Sequence, residues 1–180
     1  MDKIIEFAHK LLKEKLKKTD VAIDMTLGNG YDSLFLAPLV EKVYAFDIQE
    51  QAIIQAKQTL KDVHNVIYIH QGHENVDKYV FQKVKGVIFN LGYLPKGSKQ
   101  ICTTAKTTLI ALKKAIRLLD VGGICVLVFY PGHREGKIEA QEVGEYLKTL
   151  DQKEFDIIKY EFINQINMPP FLIALERLKP

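Results

Sequence analysis

Residues 22–37 read AIDMTLGNGYDSLFLA. An apolar run ends in an acid, Asp24, and Gly28 and Gly30 follow within six residues. Helical spacing of apolar residues then begins. A short buried strand, a glycine turn and a helix in that order form the first half of a βαβ unit. The two glycines let backbone approach a ligand closely and take conformations barred to other residues. The helix start beyond them has unpaired N–H groups that favour negative charge.

The same grammar repeats outward from that turn. Ile4, Ile5, Ala8, Leu11, Leu12 and Leu16 recur at helical spacing, so residues 2–17 form an amphipathic helix. The helix after the glycine turn is expected near 31–40. KVYAFD (42–47) is a second strand and residues 49–63 a second post-strand helix. NVIYIHQ (65–71) is a third strand, followed by a short helix over 74–80. Strands over 84–92 and 123–130 flank a long helix, 98–120, which Gly122-Gly123 should stop. A helix over 135–150 and strands over 155–163 and 171–178 finish the chain. Strands alternating with helices imply a parallel sheet covered on both faces. The last two strands have only NQINMPP between them, so one of that pair should run antiparallel.

The 180 residues suffice for one domain over 1–180 with a full core. Hydrophobic residues make up 47% and charged residues 26%, which excludes a disordered or fibrous chain. The formal charge of +3 marks no overall nucleic-acid binder, though a local basic face remains open. Two distant cysteines, Cys102 and Cys125, exclude CxxC metal spacing and a disulfide framework. The amphipathic, acid-containing N-terminus is not a signal peptide. No apolar run approaches the ~20 residues of a membrane span. A cytoplasmic protein with neither metal nor membrane partner is expected.

In an open α/β sheet, ligands lie beyond the carboxyl ends of the strands. The second strand ends in Asp47, seventeen residues past Gly30. A carboxylate there has two acceptor oxygens for the two hydroxyls of a ribose, and it can also cap the following helix. In HQGHENV, His73 or Glu74 can meet an adenine edge or simply cap the short helix. A dinucleotide fingerprint needs a third glycine, and that place is taken by Ser33. Asp24 is an awkward neighbour for a pyrophosphate and a good one for a cationic amino-acid end. S-adenosylmethionine carries such an end together with a ribose and an adenine, so it is favoured over NAD.

The reacting end falls at FNLGYLPKGSK. Asn90-Leu91-Gly92-Tyr93 resembles the Asn-Pro-Pro-Tyr loop of amino-group methyltransferases in spacing and in its end residues. An Asn carbonyl can accept a hydrogen bond from an amine, and an aromatic ring three residues on can stack on a base. Both side chains also have plain structural uses, in a turn and in packing. After the fifth strand, YPGHREGK carries His133, which can orient substrate, take a proton or only space the turn. Lys96, Lys99, Arg134 and Lys137 cluster near this edge, to neutralise phosphates or as solvated loop charge.

Four stretches, IDMTLGNGYDSLFLA, FNLGYLPKG, YPGHREG and NQINMPPFLIALERL, resemble the bacterial rRNA methylase family of the YtqB type over nearly the whole chain. The resemblance implies a class I S-adenosylmethionine-dependent methyltransferase: Rossmann-like, with a seven-stranded, mostly parallel sheet and helices on both faces. Members are assigned as tRNA-modifying enzymes (the MnmM type). These methylate 5-aminomethyl-2-thiouridine at the tRNA wobble position to 5-methylaminomethyl-2-thiouridine. The family implies the tRNA anticodon stem-loop as partner and a homodimer. Carried over, the motif puts Asp24, Thr26, Gly28, Asn29, Gly30 and Asp32 around the cofactor, with Asp47 and Gln49 at the ribose. Asn90 and Tyr93 face the transferred methyl, and Tyr93 and His133 are the candidates if a general base exists. Met25 and Arg134 depart from the family's usual Ala and Pro. Methylation of rRNA or of a small amine is the alternative, and a non-catalytic nucleotide-binding module or a dehydrogenase a second one.

Overall fold

The computed structural model describes residues 1–92 and 102–179. Its framework is one seven-stranded sheet in the order β3-β2-β1-β4-β5-β7-β6. The strands are β1 (Val21–Asp24), β2 (Lys42–Asp47), β3 (Val66–His70), β4 (Val84–Leu91), β5 (Leu119–Phe129), β6 (Phe155–Tyr160) and β7 (Phe171–Arg177). Strands β1 to β5 pair in parallel, and β7 runs antiparallel to both β5 and β6. This is the antiparallel end expected from the short 164–170 connection, which is too short for a crossover helix.

Among the described residues, five α-helices cover the sheet: α1 (Ile4–Lys15), α2 (Tyr31–Leu36), α3 (Glu50–Thr59), α4 (Ala105–Leu118) and α5 (Arg134–Lys148). Successive side chains of β5 point to opposite faces, so the apolar run reads as two interleaved sets. Cys125, Leu127 and Phe129 pack with Ala111, Leu112 and Ala115 of α4 and with Val143 and Leu147 of α5. Val126 and Val128 pack with Ala8 and Leu12 of α1 and Leu36 of α2 on the other face. Ala45, Ile53 and Ala56 form a smaller cluster under α3. Cys125 lies within the first set, fully buried, and desolvation raises its thiol pKa far above the ordinary value.

Several boundaries differ from the sequence expectation. The long helix ends at Leu118 rather than 120, and β5 begins at once. Gly122, in a left-handed conformation (φ 73°), lies in an irregularity where Val84 pairs with Leu119 and Gly86 with Ile124. The glycine pair therefore bends a strand and does not stop a helix. Residues 102–104 precede α4, whose N-cap is Thr104, because that hydroxyl accepts the Thr107 N–H; residues 98–101 of the expected helix lie outside the described residues. The helix expected near 31–40 passes into a 3-10 turn (Ala37–Leu39) that contains Pro38, and the helix after β3 is 3-10 throughout (His73–Lys78).

Candidate active site

The carboxyl ends of β1, β2 and β4 meet around the glycine loop. The chain after β1 stays between its neighbours: the Met25 N–H donates to the Ile88 carbonyl and the Leu27 N–H to the Phe46 carbonyl, each at 2.9 Å. Gly28 and Gly30 then turn the loop with φ of 49° and 85°. A Cβ at Gly30 would also stand 3.1 Å from the Ala56 Cβ of α3, so glycine serves both the turn and the helix contact. Asn29 lies between them, half-buried.

Asp24 is fully buried beneath this loop. One carboxylate oxygen accepts the Thr26 N–H at 3.1 Å and the other accepts the Ser33 hydroxyl at 2.7 Å. Burial, then the neighbouring charges of Asp32 and Asp47, push its pKa up to about 7 against the two hydrogen bonds. Ser33, legible in the sequence only as a missing glycine, is thus the donor that holds Asp24. Asp47 is half-buried and ties two segments together: it accepts the Gly28 N–H and the Gln49 N–H, both at 2.9 Å. Each oxygen keeps a second lone pair for a ligand hydroxyl.

A second cluster centres on Asn90, at the end of β4. Its N–H donates to the Thr26 hydroxyl at 2.7 Å, and its side-chain amide donates to Asp32 Oδ2 at 3.3 Å. The other Asp32 oxygen lies 2.7 Å from Nε2 of His9, in α1. The Tyr130 hydroxyl also pairs with the Asn90 side chain; burial and the Asp32 charge raise that phenol's pKa. Sequence spacing singled out Asp32 and Asn90 separately. His9 and Tyr130 were given no role there: His9 lies outside every motif, Tyr130 opens YPGHREG beside the more conspicuous His133, and each meets the cluster only through the fold.

Other candidates lie differently. The His73 ring is buried, with Nδ1 donating to the Met25 carbonyl at 3.0 Å and its face edge-on to Phe89. Desolvation lowers its pKa. The ring clamps the β1 end to the 3-10 turn, while Glu74 beside it is half-buried. His133 is the N-cap of α5, its Nδ1 accepting the Gly136 N–H at 3.1 Å, so in that neutral tautomer Nε2 carries the proton. Arg134 and Lys137 are exposed in the first turn of that helix. Tyr93, Lys96 and Lys99 lie outside the described residues.

Three carboxylates around one loop disfavour a pyrophosphate and suit a ligand with cationic groups. A paired acid at the β2 end suits a ribose. These residues fit S-adenosylmethionine: Asp47 could receive the ribose hydroxyls, and Asp24 and Asp32 could supply a negative field for the sulfonium and ammonium. Among the described residues no group of three or more His, Cys, Asp or Glu side chains is arranged to hold a metal ion, and no helix is long and apolar enough to cross a membrane.

Comparison with known proteins agrees with this geometry. The chain is 34% identical to the chloroplastic tRNA (mnm(5)s(2)U34)-methyltransferase of Arabidopsis thaliana, an alignment that covers 97% of this chain and 70% of that protein. The crystal structure of a protein described as a "putative rRNA-methylase" from Clostridium thermocellum superposes with a TM-score of 0.96, 42% identity and 99% coverage of both chains. That of a protein described as "a putative methyltransferase" from Streptococcus mutans, solved in complex with SAH, gives a TM-score of 0.94 at 42% identity, again over 99% of both chains. The family described as "Putative rRNA methylase" matches residues 43–176, and this chain, with its class I methyltransferase fold, belongs to it.

Proposed function

We propose that this enzyme transfers a methyl group from S-adenosylmethionine to the primary amine of 5-aminomethyl-2-thiouridine at the wobble position of tRNA, giving 5-methylaminomethyl-2-thiouridine. The observation that carries the reading is the near full-length likeness to a tRNA (mnm(5)s(2)U34)-methyltransferase, over 97% of the chain. The SAH seen in the Streptococcus mutans relative is the demethylated form of the donor. Support from this chain comes from Asn90, whose amide donates to Asp32 and so can offer an amine its carbonyl oxygen.

When bound, S-adenosylmethionine supplies an electrophilic methyl carbon. The chain's own residues do the rest. Asp47 receives the ribose hydroxyls while keeping the glycine loop in place. Asn90 Oδ1 would accept an N–H from the substrate amine and so leave the nitrogen lone pair free to face the donor's methyl group. The Thr26 hydroxyl fixes the Asn90 backbone, so the acceptor is held before substrate arrives. An alkyl amine has a reference pKa near ~10 and cannot attack while protonated. Partial desolvation at the sheet edge lowers that pKa, as does a cation beside it. The Asp32 charge works the other way, and its pairing with His9 and Asn90 moderates it. The amine proton leaves to solvent, so neither Tyr93 nor His133 is required as a base. Arg134 and Lys137, exposed at the α5 start, suit phosphates of the anticodon stem-loop.

The test is nucleoside mass spectrometry of tRNA carrying 5-aminomethyl-2-thiouridine after incubation with the enzyme and S-adenosylmethionine. Conversion to the methylamino nucleoside is expected. An unmodified tRNA with methyl incorporated into rRNA instead would overturn the reading.

A further inference from the structure

The Asn90 amide has two faces of nearly the same shape and opposite chemistry. One offers a carbonyl oxygen, the other two N–H donors. Turned one way, the group accepts a hydrogen bond from an amine. Turned the other way, it presents donors to a nitrogen that must keep its lone pair for methyl. The active orientation therefore has to be held by neighbours, since packing alone scarcely distinguishes the two.

Asp32 is the neighbour that distinguishes them; the Tyr130 hydroxyl, which also pairs with this amide, both donates and accepts and so suits either face. An ionised carboxylate only accepts, so Oδ2 of Asp32, at 3.3 Å, selects the NH2 side of Asn90. Asp32 is itself held from the opposite side by His9, whose Nε2 lies 2.7 Å from Oδ1. The His9 ring is clamped in turn. It stacks on Phe35 with centroids 3.9 Å apart and planes 3° from parallel. It projects from α1, anchored by Ala8 and Leu12, both fully buried. A chain of contacts thus runs from the N-terminal helix through Asp32 to the amide at the reacting end of β4.

We propose that His9 is a positioning residue, which through Asp32 holds the Asn90 amide with its carbonyl toward the substrate amine. This rests on Asn90 being the residue that receives the amine. Its chemical requirement is narrow: position 9 must donate a hydrogen bond, and the imidazole ring itself performs no proton transfer. Freed from His9, Asp32 is drawn to other donors near the start of α2, and the amide loses its bias.

Two nearly isosteric variants separate donation from bulk. His9→Gln can place an N–H where Nε2 stands, whereas His9→Glu offers only acceptors and repels Asp32. His9→Phe keeps the stack on Phe35 and loses the hydrogen bond. Turnover would be measured at saturating S-adenosylmethionine on tRNA carrying 5-aminomethyl-2-thiouridine, with KM for tRNA and melting temperature beside it. His9→Gln should keep kcat within about threefold of wild type, and the Glu and Phe variants should lose about tenfold or more with KM little changed. Equal kcat for His9→Gln and His9→Glu, at matched melting temperatures, would overturn the proposal, and so would a His9→Phe enzyme at wild-type rate. Asn90→Ala is the control on the reading beneath it. If Asn90→Ala is inactive while all His9 variants are active, only the positioning role fails; if Asn90→Ala turns over normally, the role of Asn90 fails and takes this proposal with it.

Discussion

Replacing Asp24 by asparagine should make the protein more stable at neutral pH and a poorer binder of its methyl donor. The reasoning begins with burial. Asp24 is 0% exposed and its pKa is pushed from 3.8 up to about 7, chiefly by desolvation and by the charge of Asp32. Between those two values the folded protein holds a proton that the unfolded chain has lost. Stability therefore falls as pH rises through that window and levels off above it. At ~1.4 kcal/mol per pH unit, this one group removes about 4 kcal/mol by pH 8. Asparagine cannot ionise, and its amide can still pair with the Thr26 N–H and the Ser33 hydroxyl. His73, with a pKa lowered by desolvation, acts in the opposite direction, and Glu139, with a raised one, in the same direction. Both cancel when the variant is subtracted from wild type. Urea unfolding at pH 5 and pH 8 without donor is the assay. The stability gain of Asp24→Asn should be about 1.6 kcal/mol at pH 5 and about 4 kcal/mol at pH 8. Calorimetry should show wild-type affinity for S-adenosylmethionine rising from pH 5 to pH 7, as a cation favours the ionised acid, and this rise should vanish in the variant. A variant no more stable than wild type at pH 8 would refute the argument that the buried carboxylate is penalised.

Asp47→Ala should weaken S-adenosylmethionine binding by about ten- to a hundredfold, the loss of hydrogen bonds to a charged acceptor; unchanged affinity by calorimetry rejects the ribose role. Leu12→Ala, at a fully buried position where α1 meets the sheet, should cost about 2–5 kcal/mol in denaturant unfolding. Gly30→Ala should destabilise by about 1–3 kcal/mol, because the left-handed φ of 85° strains any side chain and the new Cβ presses on Ala56; a melting temperature equal to wild type would show that the loop relaxes freely.

The alternation of strands and helices was legible along the chain because periodicity is a local property. So was the placing of Asp24, Asp47 and Asn90 at strand ends, since a parallel sheet brings all its carboxyl ends to one edge. Even the antiparallel end followed from the length of the last connection. Boundaries were less secure where glycine has two meanings: Gly122-Gly123 reads as a helix stop and proves to be a kink within β5. Hydrogen-bond partners were not legible at all. Nothing local says that His73 turns inward to Met25, or that His9 reaches Asp32 across 23 residues of chain and Asp32 reaches Asn90 across 58. Those pairings exist only once strand order and helix packing are set. The pKa of Asp24 belongs to the same class, because desolvation depends on what lies above and beside a carboxyl group. Sequence determined which chemical groups arrive at the sheet edge; tertiary structure alone decided which way they face and what charge they carry, because orientation and dielectric are properties of neighbours in space.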